Sequence, residues 1–340
     1  MLPLVAVDVG NRRMKFGWFG RSWAEPHPPG QLPEPDSILY LPTSGEAWDR
    51  LEAWLELVRS GDFVGQAQGP FDFEQTWAAG LSSEPSRSPG PSSDRPRTAG
   101  PTADPSRTPE HTADQPWTGG QTPGPASAVP TPTQEVAWWI GSVNRPAAAR
   151  LVGWIARRWP RQPPKLLQWT DLPLQLHVQE PHRVGIDRLL NAVATNRLRA
   201  PDRPAVVVDV GTAITVDWLS AEGAFCGGAI LPGLEMAAKA LHQFTDLLPE
   251  VSFAQEAEPP PVLGSYTEAA IRSGLFWGTL GAVRELTVRL AQQASVPPQV
   301  FLTGGAGALL APQLGPEVHY VPHLTLAGIA LCACASRSTA

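Results

Sequence analysis

The chain has 340 residues, 42% of them apolar, enough to bury one large or two medium cores. Its 26 basic and 32 acidic residues leave a net charge of -6 spread without blocks, which gives no electrostatic footprint for nucleic acid or for an anionic membrane. Cys226, Cys332 and Cys334 have no framework spacing, Asp8 interrupts the first apolar run, and no apolar span reaches membrane length, so the sequence reads as cytoplasmic, with neither export signal nor membrane span.

In chain order, Leu4–Val9 and Met14–Phe19 read as strands, and residues 47–59 as an amphipathic helix carrying Trp48, Leu51, Trp54, Leu55 and Val58. From Ser82 to about Glu135 the composition turns to Pro, Ser, Thr, Gly and Asp with almost nothing to bury, the signature of a disordered insertion. Structure resumes at "VAWWIGSVNRP", a strand and turn. A helix follows with Leu151, Val152, Trp154, Ile155 and Trp159 available to one face. "KLLQW" reads as a strand, and a helix begins at about Asp187. The second half repeats the plan: strand–turn–strand over 205–218, a strand with a Gly turn at "AFCGGAILPG", and the helix "LEMAAKALHQFTDLL". A long helix follows, with Ser273, Gly274 and Gly278 at close-packing positions, then strand, Gly turn and helix in "QVFLTGGAGALL". Strands alternating with helices, the strands rich in buried Val, argue for an α/β protein.

One phrase occurs twice. "LVAVDVGNRRMKFGWF" opens the chain and "AVVVDVGTAITVDW" opens the second half. In each, a buried strand ends in a carboxylate, Asp8 or Asp209, and a glycine, Gly10 or Gly211, allows a tight turn. The turn amides can then meet phosphate oxygens closely. Asn11 and Lys15 stand beside the first turn, Thr212 and Thr215 beside the second. A single Asp-Val-Gly is an ordinary strand-end turn; two, each at the head of a lobe, suggest hairpins that clamp a nucleotide tail between them.

The order of motifs, Asp-x-Gly-Asn, "VGIDRLLNAVAT", "VVVDVGTAITVD", "GGAILPGLEMAAKAL", "GSYTEAAIRSGLFWG", "FLTGGAGALL" and "PHLTLAGIAL", resembles the type III pantothenate kinases. The resemblance covers most of the chain outside 20–135. It implies an α/β fold of two ribonuclease-H-like (actin-like ATPase) lobes with mixed sheets and a nucleotide cleft between them. The lobes would be 1–81 with 136–200, and 201–340, interrupted by the insertion at 82–135. It also implies ATP-dependent phosphorylation of pantothenate, the first step of coenzyme A biosynthesis, by a homodimer.

Residue by residue, the resemblance makes Asp187 the general base, with Gly185, Ile186 and Arg188 around the acceptor and Thr267 touching it. Asp209 would hold a monovalent cation, potassium or ammonium. Thr212 would meet the ATP phosphates, Mg2+ would accompany ATP, and Gly304 and Gly305 would let the nucleotide approach the backbone. Each residue also has a plainer reading. Asp187 and Thr267 stand where helix N-caps stand, Arg188 suits a surface helix start, and a Gly pair after a strand is common.

Two positions depart from the family pattern. Its Asp-x-Gly-Asn-Thr has Arg12 in place of Thr, followed by Arg13. Its tyrosine three residues before the Pro of the acceptor loop is Val178, counted back from Pro181. A guanidinium can still serve a phosphate, whereas a lost hydroxyl loosens acceptor selectivity. Two alternatives therefore stand beside the pantothenate kinase: a catalytically weakened nucleotide-binding regulator, or a kinase for another small alcohol. The seven histidines show no metal-ligand spacing, and neither a Walker-type loop nor a nucleophile elbow appears.

Overall fold

The computed structural model describes residues 2–20, 23, 27–45, 47–60, 135–253, 256 and 258–338. They all fall within one compact unit formed by 1–70 and 131–340. The expected insertion at 82–135 lies outside the described residues apart from Glu135.

Two five-stranded sheets share one plan. The first contains β1 (Leu4–Val9), β2 (Arg13–Phe19), β3 (Ser37–Pro42), β4 (Ala137–Ser142) and β5 (Lys165–Leu166) in the order β3-β2-β1-β4-β5. The second contains β6 (Ala205–Val210), β7 (Ala213–Leu219), β8 (Phe225–Pro232), β9 (Gln299–Thr303) and β10 (Val318–Tyr320) in the order β8-β7-β6-β9-β10. In each sheet the first three strands run antiparallel and the fourth and fifth join parallel to the first. The doubled phrase is thus the opening hairpin of each sheet, and the mixed-sheet, duplicated ribonuclease-H-like architecture is the one observed.

Strand alternation decides what lies on each face, because successive side chains point to opposite sides. From β1, Val5, Val7 and Val9 pack outward with α1 (Trp48–Ser60) and α2 (Arg145–Arg158) in a core that includes Trp54, Trp138, Trp154 and Trp159. From β6, Val206, Val208 and Val210 pack outward with α4 (Leu234–Gln243), α5 (Thr267–Ala291) and α6 (Gly307–Leu314). The inner faces meet in a third core. Leu4 and Ala6 from β1 and Ala205 and Val207 from β6 pack there with α3 (Ile186–Leu198) and α7 (Leu324–Ser338). Two helices therefore separate the sheets, and the inward parity that buries Leu4, Ala6, Ala205 and Val207 carries on to Asp8 and Asp209.

Helix α7, last in the chain, packs against α3 and the first sheet. The approach is close: a Cβ at Gly328 would collide with the carbonyl oxygen of Leu190. Helix α2 begins on the expected turn, with Asn144 Oδ1 accepting from Ala147 N–H at 3.1 Å and a proline in the first turn.

Some local expectations differ from the structure. Gly227 and Gly228 lie inside β8, where a Cβ on Gly228 would collide with Val216 O across the strand pair. The helix expected through "QFTDLL" stops at Gln243, and "KLLQW" contributes only Lys165–Leu166 to the sheet. Gly274 and Gly278 face open space on α5 and pack against nothing among the described residues.

Candidate active site

The two hairpins differ by one residue in their turns. Val9 pairs with Met14 and Gly10 N–H donates to Arg13 O at 3.1 Å; Val210 pairs with Ile214 and Gly211 N–H donates to Ala213 O at 3.0 Å. The second turn is braced by Gly233, whose N–H donates to Thr212 O at 3.0 Å. The first is tied down by Thr43, whose Oγ1 donates to Asn11 O at 2.8 Å. Across the strands Asp8 faces Lys15 in register, and Asp209 faces Thr215 on one side and Thr303 on the other.

The N-terminal turn of α3 brings a third carboxylate between the sheets. Gly185 is the N-cap and Asp187 follows within the first turn, so Asp187 is not itself the cap. Its Oδ1 accepts from Arg188 N–H at 2.8 Å. A Cβ on Gly185 would stand 2.5 Å from that same oxygen, so only glycine lets the carboxylate fold back over the helix start. Burial, then the charges of Asp8 and Asp209, raise the Asp187 carboxyl from its usual value to about 7, against the opposing pull of the Arg188 N–H and guanidinium. Burial also raises Asp8 and Asp209. Asp8 feels Asp209 as a like charge, which puts the two strand-end acids in one field.

A buried polar chain fixes Asp209. Asn191, one turn beyond Asp187 on α3, donates from Nδ2 to Asp209 Oδ2 at 2.9 Å and accepts at Oδ1 from Thr325 Oγ1 at 2.8 Å. Thr325 belongs to the first turn of α7, so the chain joins α7, α3 and β6 around one carboxylate. The neutral amide can donate to the acid and accept from the hydroxyl at once. From the far side Gly304, at φ +96°, presses on the same residue: a Cβ there would lie 2.5 Å from Asp209 Oδ1 and from Val210 N and O. Both the backbone angle and the space demand glycine.

Arg188 leaves the opposite side of the α3 start and meets Asp217 on β7, Nε donating to Oδ1 at 3.0 Å and to Oδ2 at 3.2 Å, with Nη2 also donating to Oδ1. The pair is buried, with side-chain exposures of 13% and 2%, and the guanidinium lies 5.5 Å from the Phe225 ring centroid. The plain surface reading of Arg188 is therefore excluded. Arg12 reaches from the first hairpin toward α4, its Nη1 3.9 Å from Glu235 Oε2, in a solvent-exposed and weak pairing. Thr267 opens α5 next to its N-cap Tyr266, is exposed, and makes no hydrogen bond to the hairpins or to α3 among the described residues. Val178 packs toward β8, its Cγ1 3.7 Å from where a Gly227 Cβ would stand.

The cleft thus gathers Asp8, Gly10, Asn11 and Lys15 from one sheet, Asp209, Gly211, Thr212, Gly304 and Gly305 from the other, and Gly185, Ile186, Asp187 and Arg188 from the helix between them. Asn191, Asp217, Thr325, Arg13 and His323 were not singled out in the sequence for a role here. His323, just before α7, is pushed down to about 4 by burial and by Lys15 and so stays neutral at physiological pH. Strand parity alone finds Asp217, two residues beyond Thr215 on the inner face of β7; Asn191 falls one helical turn after Asp187. Among the described residues no group of His, Cys, Asp and Glu is set to chelate an ion by itself.

A type III pantothenate kinase family model matches residues 125–289. The chain is 37% identical over 205 residues to a type III pantothenate kinase of Anaeromyxobacter sp. (strain K), covering 60% of this chain and 78% of that one. It is 35% identical over 195 residues to that of Acidiphilium cryptum (strain JF-5), covering 57% and 71%. Among solved structures, the activator of 2-hydroxyisocaproyl-CoA dehydratase from Clostridium difficile, with bound ADPNP, aligns over 99% of this chain and 96% of that one with TM-score 0.42 and 10% identity, too loose a likeness to build on. A relative 37% identical and covered over 78% of its own length decides the matter: the chain belongs to the type III pantothenate kinase family.

Proposed function

We propose that the chain transfers the γ-phosphoryl group of ATP to the primary hydroxyl of pantothenate, the first step toward coenzyme A, with Asp187 as general base. The observation that carries this reading is the convergence of Asp8 and Asp209 on a buried Asp187, whose carboxyl burial first, and then their charges, hold at about 7. A base poised near the working pH is half available as carboxylate and still basic enough to accept a proton. As the pantothenate oxygen bonds to the γ-phosphorus and the bond to the ADP oxygen breaks, Asp187 takes the hydroxyl proton. Phosphoryl transfer passes through a loose transition state, so the base supplies about 10²–10⁴ in rate and positioning with charge neutralisation supplies more.

The positioning falls to the two hairpin turns and the Gly304–Gly305 turn, whose N–H groups suit phosphate oxygens, and to the N-terminal ends of α3 and α7, which favour negative charge. Magnesium arriving with ATP would supply charge neutralisation at the phosphates. The oxygen donors of Asp8 and Asp209 suit a hard cation that arrives on the nucleotide and keeps several waters. With Nε and Nη2 of Arg188 spent on Asp217, the remaining edge of the guanidinium is the part left for the pantothenate carboxylate.

A homodimer fits the outer surface. Helix α5 buries Ile271, Phe276, Leu280 and Val283 on one face while Ala270, Gly274, Gly278 and Gly281 form an exposed small-residue stripe on another. Beside it Phe244, Leu247 and Leu263 are 80%, 87% and 86% exposed. Such a helix wants a partner, and a second copy would bring another chain near Thr267. No helix among the described residues is long and apolar enough to cross a membrane. We assign the protein to the cytoplasm, where its free cysteines suit a reducing milieu.

The second reading, a kinase for another alcohol, is favoured by Val178, which offers only methyl groups beside β8. An ATP-consumption assay with pantothenate, comparing the wild type with Asp187→Asn, tests the first reading, and a panel of small alcohols in the same assay tests the second. Pantothenate-dependent turnover that the substitution abolishes is the expected result; no turnover by the wild type overturns the assignment.

A further inference from the structure

The cleft face of β2 carries two cations that make no hydrogen bond or ion pair from their side chains among the described residues and rest against the Tyr40 ring. Lys15 is 8% exposed, yet its ammonium makes no hydrogen bond or ion pair among the described residues. It lies 5.9 Å from the Tyr40 ring centroid, and with its N–H donors otherwise unspent it is placed to meet an anion entering the cleft. Arg13, two residues back on the same face, is exposed and likewise makes no side-chain hydrogen bond or ion pair among the described residues. Its guanidinium lies 5.1 Å from the Tyr40 ring centroid on β3 and reaches the Gly304–Gly305 turn of the other sheet, where a Cβ on Gly305 would collide with Nη2. Arg13 therefore spans the cleft mouth between the two hairpins. Both cations pull the Asp8 and Asp209 carboxyls back down against burial, so their charge acts at those two acids.

The family resemblance assigns a dissolved potassium or ammonium ion to Asp209. That assignment fits this chain poorly. Asp209 Oδ2 is taken by the Asn191 amide and Oδ1 is covered by the Gly304 turn, and a dissolved monovalent ion has no phosphate charge to carry it into the field of Arg13 and Lys15, as magnesium delivered on ATP would have. We propose that Arg13 and Lys15 supply the positive charge that the triphosphate meets beside Asp209, so that this protein binds ATP without a monovalent cation. Arg13 offers two parallel N–H donors to phosphate oxygens and Lys15 a point charge behind them. The inference rests on the kinase reading for its ligand but concerns nucleotide binding alone.

The test is calorimetric titration of the full chain with MgATP, without pantothenate, in choline chloride and in potassium chloride at equal ionic strength. The wild type should show dissociation constants within about threefold of each other, because the charges are built in. Arg13→Met should weaken binding in choline by tenfold or more and recover part of the loss in potassium, while Arg13→Lys should fall between. Gly305→Ala, which displaces only the far end of a flexible side chain, should reproduce part of the Arg13→Met defect with the melting temperature unchanged. Wild-type binding that improves tenfold or more with potassium, or an Arg13→Met protein that binds as the wild type does in choline, overturns the proposal. Tight ATP binding in choline without pantothenate phosphorylation would leave this inference standing and defeat the function proposed above.

Discussion

Asp187 and Asp209 share a cleft but are held differently. Asp209 is tied by hydrogen bonds to a neutral amide that is itself tied to Thr325. Asp187 keeps one backbone donor and stands otherwise against burial and like charge. That difference suits a fixed ligand residue beside a titrating one. The tie is testable. Asn191→Leu keeps the volume of a residue that is 1% exposed but strands Asp209 Oδ2 and Thr325 Oγ1. It should cost about 1–3 kcal/mol in denaturant unfolding and weaken ATP binding with it; an unchanged midpoint would mean the chain of bonds carries no stability. Asp8, Asp187 and Asp209 are plain in the sequence because each ends an apolar strand or begins a helix. Parity puts Asp217 on the inner face, but its role and that of Asn191 depend on which element faces them across the cleft.

At the scale of elements, the hairpins could be read from the sequence because a Val-rich strand, a carboxylate and a glycine state a strand and its stop together. Residues 37–42 and 318–320 form β3 and β10 without such a signal. They are edge strands, six and three residues long, and their register is set by the neighbours they join. Gly227 and Gly228 misled in the other direction, since glycine marks close approach between strands as well as turns. The return of α7 to the first sheet has no local signal at all; Gly328 matters only against Leu190. Gly304 is the element-level test. Gly304→Ala would force a side chain at φ +96° into Asp209, so ATP affinity should fall at least tenfold while far-UV circular dichroism holds. Unaltered affinity would remove the Gly304–Gly305 turn from the nucleotide site.

For the molecule as a whole, duplication sets the design: two sheets of the same order, each presenting an acid-tipped hairpin inward, with α3 and α7 wedged between. The small-residue stripe on α5 predicts the assembly. Gly278→Phe should convert a dimer into a monomer in sedimentation velocity, because the side chain enters space that is open in one chain and that the proposed second copy would fill. A wild-type monomer would refute that. Removing 82–135 should leave melting temperature and turnover nearly unchanged, since a long surface insertion alters closure entropy by only about 1–2 kcal/mol; a chain that no longer folds would contradict it. The central claim, that burial together with two strand-end acids sets a third as the base, is tested most directly by the pH dependence of kcat/KM for pantothenate. With the Asp187 carboxyl at about 7, protonation below that value removes the acceptor. The rate should therefore rise about tenfold per pH unit up to neutrality and level off above it, and Asp187→Asn should lose both the rate and the rise. A flat profile between pH 5.5 and 8.5, in the sense of less than about a twofold change, or an Asp187→Asn protein that keeps the same titration, would contradict the account.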